Sequence, residues 1–98
     1  MKPLMVAFEG PDCCGKGTQL AMVQAKLNEY GVQYVCTREP GGTPTGEKIR
    51  SILLDASLSP EPFTSLCLFC ASRHQVFRSV CKPALEKGLH VLMDRSPW

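Results

Sequence analysis

The sequence has little net charge, no long apolar run and no cysteine spacing typical of a metal site. Its 98 residues carry 11 Lys and Arg against 9 Asp and Glu, a formal net charge of +2, which is too small to favour a nucleic acid or a membrane as partner. The longest apolar run is far shorter than the ~20 residues that span a bilayer. The N-terminal segment does not match a signal peptide, because Glu9 and Gly10 interrupt its apolar residues. We therefore expect a cytoplasmic protein that binds neither nucleic acid nor membrane.

The six cysteines do not form a zinc-binding pattern. Cys67 and Cys70 are a C-x-x-C pair, but the sequence has no second close pair with ligand spacing. A thioredoxin-like motif would begin a helix after a strand, whereas this pair lies inside an apolar stretch of helical character. Free cysteine behaves as a small buried hydrophobe, so we predict that Cys67 and Cys70 pack in the core.

A glycine-rich loop is the main feature that the sequence does contain. Residues 10–19 read G-P-D-C-C-G-K-G-T-Q and follow an apolar stretch at residues 4–8. Successive backbone N–H groups in such a loop form a nest for phosphate oxygens, and the N-terminus of the next helix adds its positive dipole end. Gly10 and Gly15 permit the tight turn, and Lys16 places a point charge toward the outer phosphates. Because the flanking strand and helix are both predicted, phosphate binding is favoured over a chance match of a glycine-rich turn.

One position in the loop departs from the simplest pattern. Gly17 follows Lys16 where a Ser or Thr is usual, and Thr18 comes next. This Gly-Lys-Gly-Thr form resembles the loop of adenylate kinases and related nucleoside monophosphate kinases. Thr18 is then the candidate hydroxyl on the Mg²⁺ side of the loop.

The rest of the chain alternates predicted strands and helices. Strands are predicted at residues 4–8, 33–37 and 89–93, and helices from the loop to residue 30, from residue 44 onward and from about 63 to about 77. Thr43 is a predicted N-cap before Pro44, and Pro83 kinks or restarts a last helical piece. This order predicts an α/β fold, a three-layer P-loop NTPase-type parallel sheet with flanking helices and right-handed crossovers.

Charged residues follow two of the predicted strands. Arg38 leaves the second strand, and Asp94 and Arg95 leave the third. Open parallel sheets bind ligands outside the carboxyl ends of their strands, so these positions favour a binding site. Arg38 could instead be a surface charge that pairs with Glu39, and Asp94 with Arg95 could be a plain ion pair.

Four sequence blocks resemble the N-terminal half of thymidylate kinases. They are F-E-G-P-D at residues 8–12 with G-K at 15–16, T-R-E-P-G-G-T-P at 37–44 followed by G-E-K-I-R at 46–50, L-F-C-A-S-R at 68–73, and D-R at 94–95. Their order and spacing agree with that family across essentially all 98 residues. The second block is the most diagnostic, because a general phosphate loop does not predict it. The resemblance implies that residues 1–98 are the N-terminal part of a single P-loop kinase domain, with about three strands of five.

The resemblance also implies a reaction, the transfer of the γ-phosphoryl group of ATP to dTMP with Mg²⁺, and a role for each matching residue. The residues implied to bind ATP are Gly10, Pro11, Asp12, Cys13, Cys14, Gly15, Lys16, Gly17 and Thr18. Those implied to be catalytic are Lys16, Asp12 and Arg95, and those implied near Mg²⁺, directly or through water, are Thr18 and Asp94.

The acceptor nucleotide has its own implied set of residues. Arg38 and Arg95 would hold the 5′-phosphate with Asp12, Phe69 would stack on thymine, and Arg73 would donate to a base oxygen. Phe69 could instead be an ordinary core aromatic, and Arg73 a surface cation. A homodimer built on helices that include the third is a further implication of the family.

Two departures from the family pattern qualify the expected activity. Cys13 and Cys14 stand where some members place an arginine, so this sequence resembles the members whose catalytic charge comes from a mobile lid. The chain ends at Trp98, about half the length of the family, and the implied lid lies beyond it. We therefore expect at most weak nucleotide binding from these residues alone, and an open edge along the first strand. The alternatives are another nucleoside monophosphate kinase, such as an adenylate kinase, and a non-catalytic nucleotide-binding fragment.

Overall fold

The computed structural model describes residues 2–10 and 15–95. Three parallel strands form one sheet, β1 (Met5–Glu9), β2 (Tyr34–Glu39) and β3 (His90–Arg95), in the order β1-β3-β2. The α/β class and the parallel sheet are confirmed, although each strand ends one or two residues later than predicted. In the described residues β1 pairs only with β3, so the predicted open edge along β1 is present there.

The first two helices begin and end where the local sequence predicts. Helix α1 (Lys16–Glu29) follows Gly15 and ends at Tyr30, before Gly31. Helix α2 (Pro44–Leu54) is capped by Thr43, whose Oγ1 accepts a hydrogen bond of 2.8 Å from the Gly46 N–H. The cap satisfies one of the unpaired N–H groups of the first turn, and proline is tolerated there because its missing N–H would have no intrahelical partner.

The third predicted helix and the last helical piece are both present, and a wider turn joins them. Helix α3 (Pro62–Val76) continues into a π-helical turn (Phe77–Cys81) and then into α4 (Lys82–Glu86). The Lys82 N–H bonds to the carbonyl of Phe77, five residues earlier. Pro83 has no N–H and its ring crowds the preceding turn, so the extra residue of a π-turn accommodates it. In the described part of the chain, no helix is long and apolar enough to span a membrane.

The core lies where α4 and the π-helical turn cover the centre of the sheet. Cys81, Ala84, Val91 and Met93 form it and are at most 5% exposed. The middle strand supplies two of the four because β3 has a neighbour on each side. The core therefore fixes β3, and with it the residues that follow at the carboxyl edge.

The prediction that Cys67 and Cys70 pack in the core is wrong, because both are exposed. Helix α3 buries Ser72 and Val76, on the side that contacts α2 and β2. At about 100° per residue, Cys67 and Cys70 fall on the opposite side of the helix. The apolar residues of α3 are distributed around the whole helix, so the sequence alone could not indicate which side is buried.

Candidate active site

The carboxyl ends of the three strands bring charged side chains into two rows. In the strand register, Asp94 lies beside Phe8 and Arg38. One residue later, Arg95 lies beside Glu9 and Glu39. Successive residues of a strand point to opposite faces of a sheet, so the two rows lie on opposite faces. One sheet edge therefore carries two charged sites, one beside α1 and one beside α3.

Lys16 is held at the first of these sites by the end of β3. Its Nζ lies 2.6 Å from Asp94 Oδ1 and donates a hydrogen bond of 2.9 Å to the carbonyl of Arg95. Only 14% of the Lys16 side chain is exposed. The first residue of α1 is thus tied to the carboxyl edge of the sheet.

An open cleft adjoins this lysine–aspartate pair. It measures about 310 Å³ and is lined by Leu20, Cys36, Thr37, Arg38, Gly42 and Asp94. A second groove of about 310 Å³ lies along β1, between Phe8, Glu9, Lys16 and Gln19. Lys16 borders the second groove and its partner Asp94 borders the first, so the pair separates two openings at the same edge.

The donor chemistry here suits Mg²⁺ held mainly by a substrate. In the described residues, no group of three or more His, Cys, Asp or Glu side chains could hold a metal. Asp94 and Thr18 offer a carboxylate and a hydroxyl, which are hard oxygen donors. Mg²⁺ commonly takes one or two carboxylates and completes its coordination with phosphate oxygens and water. These two oxygen donors are therefore of the kind that Mg²⁺ prefers.

On the opposite face, a chain of alternating charges crosses the sheet. Arg95 Nη1 donates a hydrogen bond of 2.8 Å to Glu9 Oε1, and Arg95 Nε lies 3.3 Å from Glu39 Oε2. Arg73 Nε, from α3, donates to the same Glu39 oxygen at 3.0 Å. The hydrogen bond to Glu9 is the main cause that raises the pKa of Arg95. Arg73 and Arg95 are thus brought together, although the sequence places them on different elements.

Arg38 is paired with Glu47 of α2. Arg38 Nε donates a hydrogen bond of 3.1 Å to Glu47 Oε2, and Arg38 Nη2 contacts Oε1 of the same carboxylate. The Gly42 N–H donates to Glu47 Oε2 at 2.8 Å. The bond from Arg38, and then that from Gly42, lower the pKa of Glu47 to about 2. Glu39, the alternative partner of Arg38, contacts Arg73 and Arg95 instead.

Hydrogen bonds to neighbouring helices fix the loop between β2 and α2, which separates Arg38 and Glu39 from Glu47. The Gly41 N–H donates to the buried Ser72 Oγ at 2.8 Å, and Arg50 Nη1 donates to the Pro40 carbonyl at 3.0 Å. Gly42 has φ +83°, and a Cβ there would lie 2.3 Å from Thr37 Oγ1. Only glycine fits this close approach, which explains the Gly-Gly step in the second sequence block.

Most of the predicted site residues lie in the described part of the chain. Gly10, Gly15, Lys16, Gly17 and Thr18 flank or begin α1 at the carboxyl edge, and Arg38, Asp94 and Arg95 lie at that same edge. Phe69 is half-buried on α3, one turn before Arg73. Predictions for Pro11, Asp12, Cys13 and Cys14 fall outside the described residues.

Sequence reasoning missed the carboxylates that hold the arginines. Glu39 and Glu47 both lie in the second sequence block. Glu39 was considered only as an alternative partner of Arg38, and Glu47 was assigned no role. The available signal was their setting, since each acidic residue occurs within a block that also contains Arg38. Their partners, however, include Arg73, which is 34 residues away from Glu39, and sequence spacing does not reveal such a contact.

Comparison with known proteins gives a consistent family. The family model described as thymidylate kinase matches residues 8–98. The thymidylate kinase of Deinococcus radiodurans is 47% identical over 92 residues, which cover 94% of this chain and 45% of that protein. The thymidylate kinase of Thermosipho africanus is 48% identical over 92 residues, which cover 94% of this chain and 46% of that protein. The chain thus spans less than half the length of these curated relatives.

A solved structure gives the same result for the fold. The crystal structure of thymidylate kinase from Ehrlichia chaffeensis superposes with a TM-score of 0.85 at 35% identity, covering 97% of this chain and 55% of that one. The match includes the sheet and the helices that position the charged edge. With the family model matched from residue 8 to residue 98, the chain belongs to the thymidylate kinase family.

Proposed function

We propose that the protein carrying this chain phosphorylates dTMP, transferring the γ-phosphoryl group of ATP to form dTDP and ADP. The observation that carries the proposal is the convergence of Lys16, Arg38, Arg73 and Arg95 at one sheet edge from four different elements. Phosphoryl transfer needs mainly alignment and stabilisation of negative charge, and four cations suit two phosphate-bearing substrates. The name of the relatives, thymidylate kinase, supplies dTMP as the acceptor.

The donor side of the proposed site is the glycine-rich loop with Lys16. Backbone N–H groups of residues 10–18 would hold the phosphates of ATP, and Lys16 would contact the outer ones. Asp94 and the Arg95 carbonyl keep the ammonium group at the edge of the sheet, which supports this role. Mg²⁺ bound with ATP would neutralise charge on the transferred group, with Thr18 and Asp94 as its proposed oxygen donors.

The acceptor side is formed by three arginines and one aromatic ring. Arg38 and Arg95 lie at the ends of neighbouring strands, on opposite faces of the sheet. Both are proposed to reach over the sheet edge to the 5′-phosphate of dTMP, because the planar guanidinium forks match phosphate oxygens. Phe69 is proposed to stack on thymine and Arg73 to donate to a base oxygen. Phe69 and Arg73 are four residues apart on α3, which puts them on one helix face. Asp12, in the loop, is proposed to position the acceptor phosphate.

The 98-residue chain by itself is proposed to be the N-terminal part of this kinase domain. No Lys or Arg lies between Gly10 and Lys16, so the loop has no arginine to stabilise the transferring group. Such an arginine contributes on the order of 10³–10⁵ in rate in other phosphoryl-transfer enzymes. We therefore expect the chain alone to bind nucleotide weakly and to turn over little or not at all.

An ADP-release assay coupled to NADH oxidation tests the proposal. The full reading frame that carries this chain is assayed with ATP, Mg²⁺ and a panel of acceptors that includes dTMP, AMP and dCMP, beside the 98-residue chain. We expect dTMP to be preferred, Arg38→Met to weaken its use, and EDTA to abolish turnover. A preference for AMP would favour an adenylate-kinase-like function and overturn the proposal, and full turnover by the short chain would overturn the fragment assignment.

A homodimer is proposed from the outer face of α3. Phe63 is 74% exposed and Leu66 57%, and Cys67 and Cys70 lie exposed beside them. Exposed apolar patches of this kind are typical of protein interfaces. Light scattering after gel filtration should give twice the monomer mass, and Leu66→Glu should return it to the monomer mass.

The cytoplasmic location and the absence of nucleic-acid and membrane partners stay predictions from the sequence, testable by cell fractionation.

A further inference from the structure

Glu39 is a buried carboxylate that contacts two arginines through one oxygen. Its Oε2 accepts a hydrogen bond of 3.0 Å from Arg73 Nε and lies 3.3 Å from Arg95 Nε. Only 6% of the Glu39 side chain is exposed, whereas Arg95 is 29% and Arg73 is 59% exposed. The carboxylate therefore lies beneath two guanidinium groups that reach toward solvent.

The second carboxylate at Arg95 does not share this arrangement. Glu9 bonds to Arg95 Nη1 at 2.8 Å, but its side chain is 63% exposed. Among the described ion pairs, Glu39 is the acidic residue that contacts both arginines. Each contact is made by the Nε of an arginine.

The guanidinium groups of Arg73 and Arg95 contact the same oxygen, so these two positive charges lie close together and need a counter-ion. Unpaired guanidinium groups repel each other, and the repulsion grows where the surroundings exclude water. The Glu39 carboxylate offsets this repulsion and holds the Nε atoms of both arginines near one oxygen. Because the two arginine side chains are already ordered, a ligand does not have to order them when it binds, and its affinity is higher.

From these contacts we infer that Glu39 is a positioning residue that fixes Arg73 and Arg95 relative to each other, and so orders both before a nucleoside 5′-monophosphate binds. This inference rests on the proposed function, in which Arg73 contacts the base and Arg95 the 5′-phosphate. Arg73 comes from α3 and Arg95 from the end of β3. The carboxylate at the end of β2 joins the base end of the acceptor site to its phosphate end.

Glu39→Gln tests the inference through the kinetics of the full-length protein. The substitution keeps the shape of the side chain and removes its charge. Charge-assisted hydrogen bonds correspond to about 10-fold to 100-fold in affinity, so we expect KM for dTMP to rise by about that factor while KM for ATP stays within about two-fold. Glu39→Asp restores the charge on a shorter side chain and should recover part of the loss. Glu29→Gln, which removes an exposed carboxylate 3.6 Å from Lys26 on α1, should leave both constants unchanged.

A purely structural role for Glu39 would give a different pattern. It would lower the melting temperature and the active fraction, and both KM values of the surviving enzyme would stay the same. Unchanged KM for dTMP in Glu39→Gln, with dTMP used normally by the wild type, would overturn this inference alone. Failure of the wild type to bind or phosphorylate dTMP would overturn the proposed function itself.

A thermal-unfolding cycle on the full-length protein measures the shared contact without any substrate. Arg73→Ala or Arg95→Ala alone leaves Glu39 with one partner, whereas the double variant leaves a buried carboxylate unpaired. We expect the melting temperature of the double variant to fall by about 2–4 °C more than the sum of the single variants. In the Glu39→Gln background the losses should add. Additive losses with Glu39 present would overturn the inference that one carboxylate holds both arginines.

Discussion

Replacing Glu47 by Gln tests whether a charged carboxylate holds Arg38 in place. Glu47 Oε2 accepts hydrogen bonds from Arg38 Nε at 3.1 Å and from the Gly42 N–H at 2.8 Å. These bonds lower the pKa of Glu47 from an ordinary 4.5 to about 2. A carboxylate with a depressed pKa stabilises the fold above its unfolded-state pKa, and that contribution declines as the pH falls toward 2.

The exposure of the pair limits the size of the effect. At about 1.36 kcal/mol per pKa unit, the fall in the pKa of Glu47 would correspond to roughly 3.4 kcal/mol. However, the Glu47 and Arg38 side chains are 41% and 48% exposed. Exposed ion pairs contribute about 0.2–1 kcal/mol, and the backbone bond from Gly42 adds to this. We therefore expect Glu47→Gln to lower the free energy of unfolding by about 1 kcal/mol at pH 7.

Urea unfolding at several pH values measures this difference. The free energy of unfolding of wild type minus that of Glu47→Gln should be largest above pH 5 and fall to less than half between pH 5 and pH 3. Subtracting the variant removes the titration of the other carboxylates, which both proteins share. Glu29→Gln, at an exposed helical pair 3.6 Å from Lys26, should change stability by less than about 0.5 kcal/mol at every pH. A difference that is the same at pH 7 and pH 3 would refute the reasoning, because it would not depend on the charge of Glu47.

Three further substitutions test the loop, the cap and the phosphate site. Gly42→Ala places a Cβ 2.3 Å from Thr37 Oγ1 at φ +83° and should lower the free energy of unfolding in urea by about 2–5 kcal/mol. The control Gly31→Ala, at φ +70° with no atom within 4 Å, should lower it by only about 1–2 kcal/mol. Equal losses would contradict the close approach at Gly42. Thr43→Ala removes the cap of α2 and should lose about 1 kcal/mol in thermal unfolding, with Thr43→Ser largely preserving stability. Lys16→Ala should weaken ATP binding by about 10-fold to 100-fold in calorimetric titration, and unchanged affinity would exclude Lys16 from the phosphate site.

Local sequence signals predicted the elements and their boundaries well. Thr43 before Pro44 identified the start of α2, since capping and a proline at the first helical position depend only on neighbouring residues. The run of apolar residues before the glycine-rich loop predicted β1 within one residue of its bounds. Parallel order followed from the alternation of strands and helices. In each case the deciding interaction is short in sequence.

The partners of the charged residues could not be predicted in the same way. The sequence offered Glu39 as an alternative partner of Arg38, whereas the structure pairs Arg38 with Glu47. The ligand-binding role of Arg38 stays a prediction. Cys67 and Cys70 were expected in the core and are exposed, because helix α3 is apolar on every side and only its packing against α2 and β2 decides which side is buried.

The sequence by itself determined the fold class, the strand-loop-helix at the phosphate site and the family resemblance, because periodicity, caps and motif spacing act over a few residues. The tertiary structure decided which carboxylate holds which arginine. Glu39 lies at the end of β2, Arg73 on α3 and Arg95 at the end of β3, and the parallel register beside β3 brings them to one oxygen. Such a contact depends on how layers pack across 34 to 56 residues of chain, and no local pattern in the sequence encodes it.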